Sequence, residues 1–267
     1  MSLSLANSDY GLPSYQGTNL SEFPLVCVHG WGMNPSVFSE LERHAEQNKQ
    51  RFITIALPGH GASPLVNIDY EAWVDHIAAQ IPQQSILLGW SLGGMLAMAI
   101  ALKYPNKLAG LISVAASPKF VADDAWPGTK ANVLATFQQQ LQQNPKLTQE
   151  RFLALQAMGS PDARQDIKRL KQLVLSQPEP HPKALEFGLT LLEQLDLREA
   201  LAHINMPWLR VWGKLDGLTP IAQKERLQHL SGQDWVIAKA SHAPFISHPQ
   251  TFYQGLRQWM NGATSSP

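Results

Sequence analysis

Six short runs along the chain are apolar almost throughout, and the longer stretches between them carry apolar residues at helical spacing. The runs are FPLVCV (23–28), FITIAL (52–57), SILLG (85–89), GLISVA (110–115), WLRVWG (208–213) and DWVIA (234–238). A strand with one face in water alternates apolar and polar positions. Strands without that alternation suit a parallel sheet covered on both faces. Residues 35–48, 69–81, 92–104, 220–230 and 249–260 predict helices between them. The β-α-β-α order predicts an α/β fold with a mostly parallel sheet and helices on both faces.

The rhythm breaks once. From Pro118 to about Phe187 no strand pattern occurs, only helical segments such as NVLATFQQQLQQ, TQERFLALQAMG and ARQDIKRLKQLVL, with a Pro-rich connection at 176–183. That is too long for a loop in a compact domain and predicts an inserted helical lid. The expected organisation is a first part of the core at 1–117, a lid at 118–187 and a second part of the core at 188–267.

Composition narrows the chemistry. The 267 residues are 44% hydrophobic and 16% charged, enough for a sizeable core, with 21 basic residues against 21 acidic ones. No overall charge argues for nucleic acid or an anionic membrane, so a charged partner must be met by a local patch. Cys27 is the single cysteine, and residues 1–15 lack a basic start followed by an apolar segment. The expectation is a cytoplasmic protein without intrachain disulfide or signal peptide, not held in a membrane and working as a monomer. His-Glu-x-x-His, Cys-x-x-Cys, Gly-x-Gly-x-x-Gly and Walker patterns do not occur, so neither a metal nor a cofactor is implied.

The chemistry centres on LLGWSLGGM (87–95). Gly89-Trp90-Ser91-Leu92-Gly93 between a strand and a helix is the pattern of a nucleophile elbow, a sharp turn that lifts the serine hydroxyl clear of the sheet. Bulky neighbours would collide across so tight a turn, hence the glycines. A serine needs a base, and the base an orienting acid. After an elbow the acid and then the histidine follow in chain order, at strand ends. Asp216 stands just after WLRVWG, and His242 just after DWVIAKA. Asp196 and Asp234 lie within or before elements and are less well placed. His248 competes with His242, but it precedes Pro249 as a helix-entry residue would. An oxyanion requires two preorganised donors. The Leu92 N–H follows the nucleophile, and the Trp31 N–H lies in the HGWGMN loop, which Gly30 and Gly32 let fold back. His29 and His60 read as loop braces, and Cys27 as packing within a strand.

The segments VHGWG, LPGHGAS, GWSLGG, LDG and SHAPF, in this order, resemble the α/β-hydrolase-fold serine hydrolases over nearly the whole chain. VAASPKFVADDAWPG, FQQQL, ERFLALQAMG, ARQD, LRVWGKLDGLTP and AKASHAPFISHP are similar to the BioH carboxylesterases, the pimeloyl-acyl-carrier-protein methyl ester esterases of biotin synthesis. That resemblance covers the insertion as well. It implies an α/β-hydrolase fold and hydrolysis of the methyl ester of pimeloyl carried on acyl carrier protein, releasing methanol. It implies Ser91 as nucleophile, His242 as base and Asp216 as its orienter, with Trp31 and Leu92 at the ester. Phe152, Leu153, Ala154, Leu155 and Gln156 would line the acyl chain.

Residues 146–171 carry Lys146, Arg151, Arg164, Lys168, Arg169 and Lys171 against Glu150, Asp162 and Asp166. Arg164, Lys168 and Lys171 fall on one helix face. Charge alone suggests an ordinary solvated face; the resemblance implies that Arg151, Arg164 and Lys168 dock the acidic carrier. Leu147 stands where another basic residue is expected, with Lys146 beside it as a substitute. The rival readings are a general short-chain esterase without a carrier, a carbon–carbon hydrolase, and a non-catalytic ligand receptor on the same fold. The apolar FLALQ segment offers nothing to hold a dienol, which disfavours the second of these.

Overall fold

A computed structural model of the protein describes residue 17 and residues 19–262. The opening stretch read for a signal peptide, residues 1–15, lies outside the described residues. Six strands form one parallel sheet: β1 Leu25–Val28, β2 Phe52–Ile55, β3 Ser85–Trp90, β4 Leu108–Val114, β5 Trp208–Gly213 and β6 Gln233–Ile237. Their order across the sheet is β2-β1-β3-β4-β5-β6. In register, Val28 of β1 lies beside Ile55 on one side and Gly89 on the other. The inner strands β1, β3 and β5 are buried at every residue, while the edge strands β2 and β6 are partly exposed. This is why the apolar runs lack alternation: helices cover both faces.

The framework helices are α1 Ser39–Gln47, α2 Tyr70–Gln80 and α3 Leu92–Lys103 before the insertion. After it come α8 Ala222–Arg226, α9 Pro244–Ser247 and α10 Pro249–Asn261. The helix α3 is buried from Leu92 through Ala101, since it lies on β3 and β4 beneath the insertion as well. Among the described residues no helix is long and apolar enough to cross a membrane.

Between β4 and β5 the chain makes four helices, α4 Ala131–Gln143, α5 Pro145–Gln156, α6 Ala163–Leu175 and α7 Pro182–Gln194. The excursion closes on itself where Leu197 N–H donates to the Pro118 carbonyl (2.9 Å) and Lys119 bridges to Asp196. At its far end, α7 runs unbroken through Phe187, the boundary expected from sequence, and the chain rejoins the core about ten residues later.

Candidate active site

Ser91 follows β3 and caps α3, with φ 56° and ψ −120°, a left-handed backbone that non-glycine residues rarely adopt. The conformation is held by Ser91 N–H donating to Val114 O (3.0 Å), and by Gly94 and Met95 N–H donating to Ser91 O. A Cβ at Gly89 would lie 2.3 Å from the Gly93 carbonyl oxygen, and one at Gly93 would lie 2.4 Å from the His29 oxygen. No side chain fits at either place, so the pentapeptide spacing is a requirement of packing.

Three loops at the carboxyl ends of the strands meet over this turn. His242 Nε2 lies 2.9 Å from Ser91 Oγ, and His242 Nδ1 lies 2.8 Å from Asp216 Oδ2. Asp216 follows β5 in a turn that folds back on its own carboxylate. Its Oδ1 accepts from Leu218 N–H (2.8 Å) and Thr219 N–H (3.1 Å), and its Oδ2 from Thr219 Oγ1 (2.5 Å). An ionised carboxylate only accepts, so these donors and the His242 Nδ1–H suit it. With Nδ1 donating, Nε2 keeps its lone pair toward the serine hydroxyl. Trp90, next to Ser91, donates its indole N–H to the His242 carbonyl (2.7 Å) and so ties the histidine loop to the turn at Ser91. All three polar residues are buried.

The sequence-predicted oxyanion donors lie beside the serine. Leu92 and Trp31 are fully buried, and among the described residues neither backbone N–H donates to a protein acceptor. Buried N–H groups without partners are rare because they are costly, which suits donors kept for a ligand oxygen. A Cβ at Gly30 would sit 3.2 Å from Ser91 Cβ, so the Trp31 loop runs directly against Ser91. His29 orients that loop. Its Nε2 accepts from Leu57 N–H (3.1 Å), which leaves Nδ1–H to donate to Gly30 O (2.8 Å). In a trans peptide N–H opposes C=O, so fixing the Gly30 carbonyl also fixes the direction of the Trp31 N–H.

His29 and His60 are both buried, with ring centroids 5.4 Å apart. Desolvation, then repulsion from His60, holds His29 down at about 3, against a partly offsetting hydrogen bond to Gly30. Desolvation holds His60 at about 4. Both imidazoles stay neutral in the folded chain, while unfolded imidazoles titrate near ~6.5. Stability present above pH ~6.5 is therefore lost as pH falls toward these folded values, by up to ~1.4 kcal/mol per pH unit for each group. The thermal midpoint is expected to be nearly flat above about pH 7 and to drop below about pH 6. His60→Asn, whose amide can still donate to Pro58 O, should remove about half of that slope. An unaltered slope in the variant would place the acid sensitivity elsewhere.

Helices of the insertion pack over the Trp31 loop. Phe152, Leu153 and Gln156 of α5 are buried, and the Phe152 ring meets the Trp31 ring edge-on at 4.7 Å. Ala154 and Leu155 are half-buried, further round the same helix. Three lid-to-loop hydrogen bonds escaped the sequence reading. Trp31 Nε1 donates to Leu185 O of α7 (2.8 Å), Asn34 Nδ2 to Val174 O of α6 (2.9 Å), and Gln149 Nε2 to Gly32 O. Nothing in the sequence sets Gln149 apart from the other polar residues of its helix. On the outer surface Arg151, Arg164 and Lys168 are exposed, and among the described residues they form no ion pair. Lys171, expected on the same face, is paired with Glu150, Arg169 with Glu40, and Lys146 with Glu179.

Two other expectations concern residues away from this centre. Cys27 is buried in β1; desolvation, then the charge of Glu42, pushes its thiol well up, so it stays protonated and unreactive. His248 caps α10 and its Nδ1 meets Ser247 Oγ at 2.8 Å, outside the serine–histidine–aspartate relay. Among the described residues no group of three or more His, Cys, Asp or Glu side chains converges as a metal would need.

Known proteins share this arrangement of segments. The sequence model of a family described as the alpha/beta hydrolase fold matches residues 24–249. A relative from Shewanella woodyi, named a pimeloyl-[acyl-carrier protein] methyl ester esterase, is 48% identical over 89% of this chain and 93% of its own. Relatives of the same name from Aeromonas hydrophila and Aliivibrio fischeri are 48% and 43% identical, over 88% and 93% of this chain and 94% and 98% of their own. Among solved structures, an esterase from Exiguobacterium antarcticum superposes with a TM-score of 0.80 over 92% of both chains at 21% identity, a likeness of fold. Matched from strand β1 to the start of α10, and along nearly the full length of such relatives, the chain belongs to the alpha/beta hydrolase fold family and, within it, to the family of pimeloyl-[acyl-carrier protein] methyl ester esterases.

Proposed function

We propose that the chain is a serine carboxylesterase that hydrolyses the methyl ester of pimeloyl-[acyl-carrier protein], a step of biotin synthesis, through Ser91, His242 and Asp216. The observation that carries the reading is the unbroken relay from Ser91 Oγ through His242 to a buried, fully engaged Asp216. It stands in a chain whose relatives at up to 48% identity bear that name. In this reading Ser91 Oγ attacks the ester carbonyl carbon as His242 Nε2 takes its proton. The oxyanion of the tetrahedral intermediate is held by the Leu92 and Trp31 N–H groups. Collapse breaks the carbon–oxygen bond, and His242 returns the proton to the departing methoxide, giving methanol. Water then attacks the acyl-serine with His242 again as base; the bond to Ser91 Oγ breaks, His242 returns the proton to that oxygen, and pimeloyl-[acyl-carrier protein] leaves with its carboxyl free.

The residues from Pro118 to Leu197 act as the lid of this site. The inner face of α5, with Phe152, Leu153 and Gln156, lines the acyl chain, and Ala154 and Leu155 border it. The outer face docks the carrier through Arg151, Arg164 and Lys168. Among the described residues these cations form no ion pair while their neighbours do, and that supports the assignment beyond the local charge count. Acyl carrier proteins are acidic, so docking gains from steering and charge-assisted contacts that salt weakens.

The test reverses Arg151, Arg164 and Lys168 together to Glu and compares two substrates. Exposed pairs contribute only ~0.2–1 kcal/mol each, so one change does little and three matter. kcat/KM on the carrier-bound methyl ester is expected to fall by at least about tenfold, or ~1.4 kcal/mol. A free short-chain ester, which needs only the pocket and the relay, should be cleaved as before. Equal losses on both substrates would mean that the lid was damaged. No loss on either would return these three residues to an ordinary solvated face.

A further inference from the structure

Trp31 lies between two glycines, and glycine leaves a peptide free to rotate unless something outside it holds the neighbouring carbonyls. On the side of Gly30 the core does this: the Gly30 carbonyl accepts from His29 Nδ1 (2.8 Å) and Met33 N–H (3.2 Å). On the other side Gly32 has φ 69°, the left-handed region, and its carbonyl is held from the lid, by the side-chain amide of Gln149 on α5. Gln149 is itself buried, and its Cγ lies 3.4 Å from where a Gly32 Cβ would stand, so the helix is seated directly on the loop.

The placement of Gln149 on its helix gives this contact a meaning. Gln149, Phe152 and Gln156 share the buried face, spaced by three and four residues, and Phe152 packs against the Trp31 ring. Arg151 is exposed on the same two turns, on the side turned to solvent. One helix therefore joins the outer basic surface, the acyl-lining side chains and the loop that carries the Trp31 N–H. Burying an amide costs free energy unless it is hydrogen-bonded. An apolar side chain of the same shape would fill the space without holding the carbonyl.

We propose that Gln149 is a positioning residue for the reaction: the Gly32 carbonyl it holds shares a peptide with the Met33 N–H, which donates to the Gly30 carbonyl opposite the Trp31 N–H, so that seating α5 steadies the Trp31 N–H toward the oxyanion. This deepens the proposed function and rests on its reading of Ser91 as nucleophile and Trp31 as donor. The lid is then a working part of the catalytic apparatus as well as a cover and a docking surface. A carrier that engages Arg151 bears on the helix that completes the site.

The experiment uses Gln149→Met, which keeps the length of the side chain and removes the donor, with Gln149→Leu as a second variant. Removing an oxyanion donor outright costs about a hundred- to a thousandfold in kcat, so loosening one should cost on the order of tenfold. On a free short-chain ester kcat is expected to fall by about that factor, with KM within about twofold. The affinity of a trifluoromethyl ketone, which adds the serine oxygen to form a tetrahedral oxyanion, should fall by the same factor as kcat. Thermal midpoints should stay within about 4 °C, the shift that ~1 kcal/mol gives a chain of this size. Unchanged kcat and ketone affinity in a folded variant would overturn the proposal. So would a rise in KM alone, or loss of folding in both variants, either of which would make Gln149 a packing residue. Failure of the underlying reading looks different: the ketone would not inhibit the wild-type chain, or Ser91→Ala would still turn over ester.

Discussion

Ser91→Ala is expected to lose roughly a millionfold in kcat on any ester the chain hydrolyses, the scale on which a serine triad fails when its nucleophile is removed. The loss should come with almost no loss of fold. Ser91 Oγ has one recorded partner, His242 Nε2, and removing it leaves that nitrogen as the unpaired acceptor of a neutral ring. The backbone strain at φ 56° is borne by the peptide, which alanine and serine share, and by the hydrogen bonds to Val114 O and from Gly94 and Met95. Unfolding midpoints of the two proteins should agree within about 4 °C, or ~1 kcal/mol. Steady-state hydrolysis of a free short-chain ester measures the first quantity and a thermal melt the second. Retention of more than about a hundredth of the wild-type rate would be incompatible with covalent catalysis at this serine. The same variant decides against the receptor reading: a non-catalytic binder has no turnover to lose, and its wild-type form would ignore a fluorophosphonate label.

The features that this prediction draws on are the ones that local sequence expresses well. A strand buried on both faces must be apolar along its whole length, so β1, β3 and β5 announce themselves without an alignment. The elbow is legible because Gly89 and Gly93 have no room for any side chain. His242 could be preferred to His248 because Pro249 marks the latter as a helix entry, which is where α10 begins. Long-range pairing is what the sequence hides. Lys171 and Lys168 look alike in a helical repeat, yet Glu150 from another helix neutralises the first and leaves the second exposed. Gln149 resembles any polar residue of a lid helix until Gly32, far away in the chain, is placed beside it. No break in pattern marks Phe187, because PKALEFGLTLLEQ of α7 carries apolar residues that serve the inserted helices and the core together: α7 packs on α3 as well as on α4. A Cβ at Gly188 would strike the Trp31 ring at 2.6 Å, so this helix too is fitted to the oxyanion loop.

His242→Ala is expected to be as damaging as loss of the serine, again roughly a millionfold in kcat, while His248→Ala should stay within about threefold of wild type. The two histidines are six residues apart, and both follow the last strand. Only His242 lies between an oxygen to be deprotonated, at 2.9 Å, and a carboxylate that selects its tautomer, at 2.8 Å. A base acts only within hydrogen-bond reach of the proton it takes. His248 instead enters α10, and burial lowers its proton affinity, with Asp166 opposing that effect through its charge. Its ring meets the Ser247 hydroxyl, and a change there alters the start of a helix and leaves the relay intact. Removal of His242 also strips one donor from a carboxylate whose side chain is fully buried, although the Leu218 and Thr219 N–H groups and the Thr219 hydroxyl still hold it. The His242 variant should therefore fold, with a lower midpoint, and its inactivity can be separated from unfolding by a melt on the same sample. Comparable losses in the two histidine variants would show that the base had been assigned to the wrong residue. Full activity in His242→Ala would dissolve the relay altogether, since neither Asp216 nor any other group recorded near Ser91 Oγ could take its place.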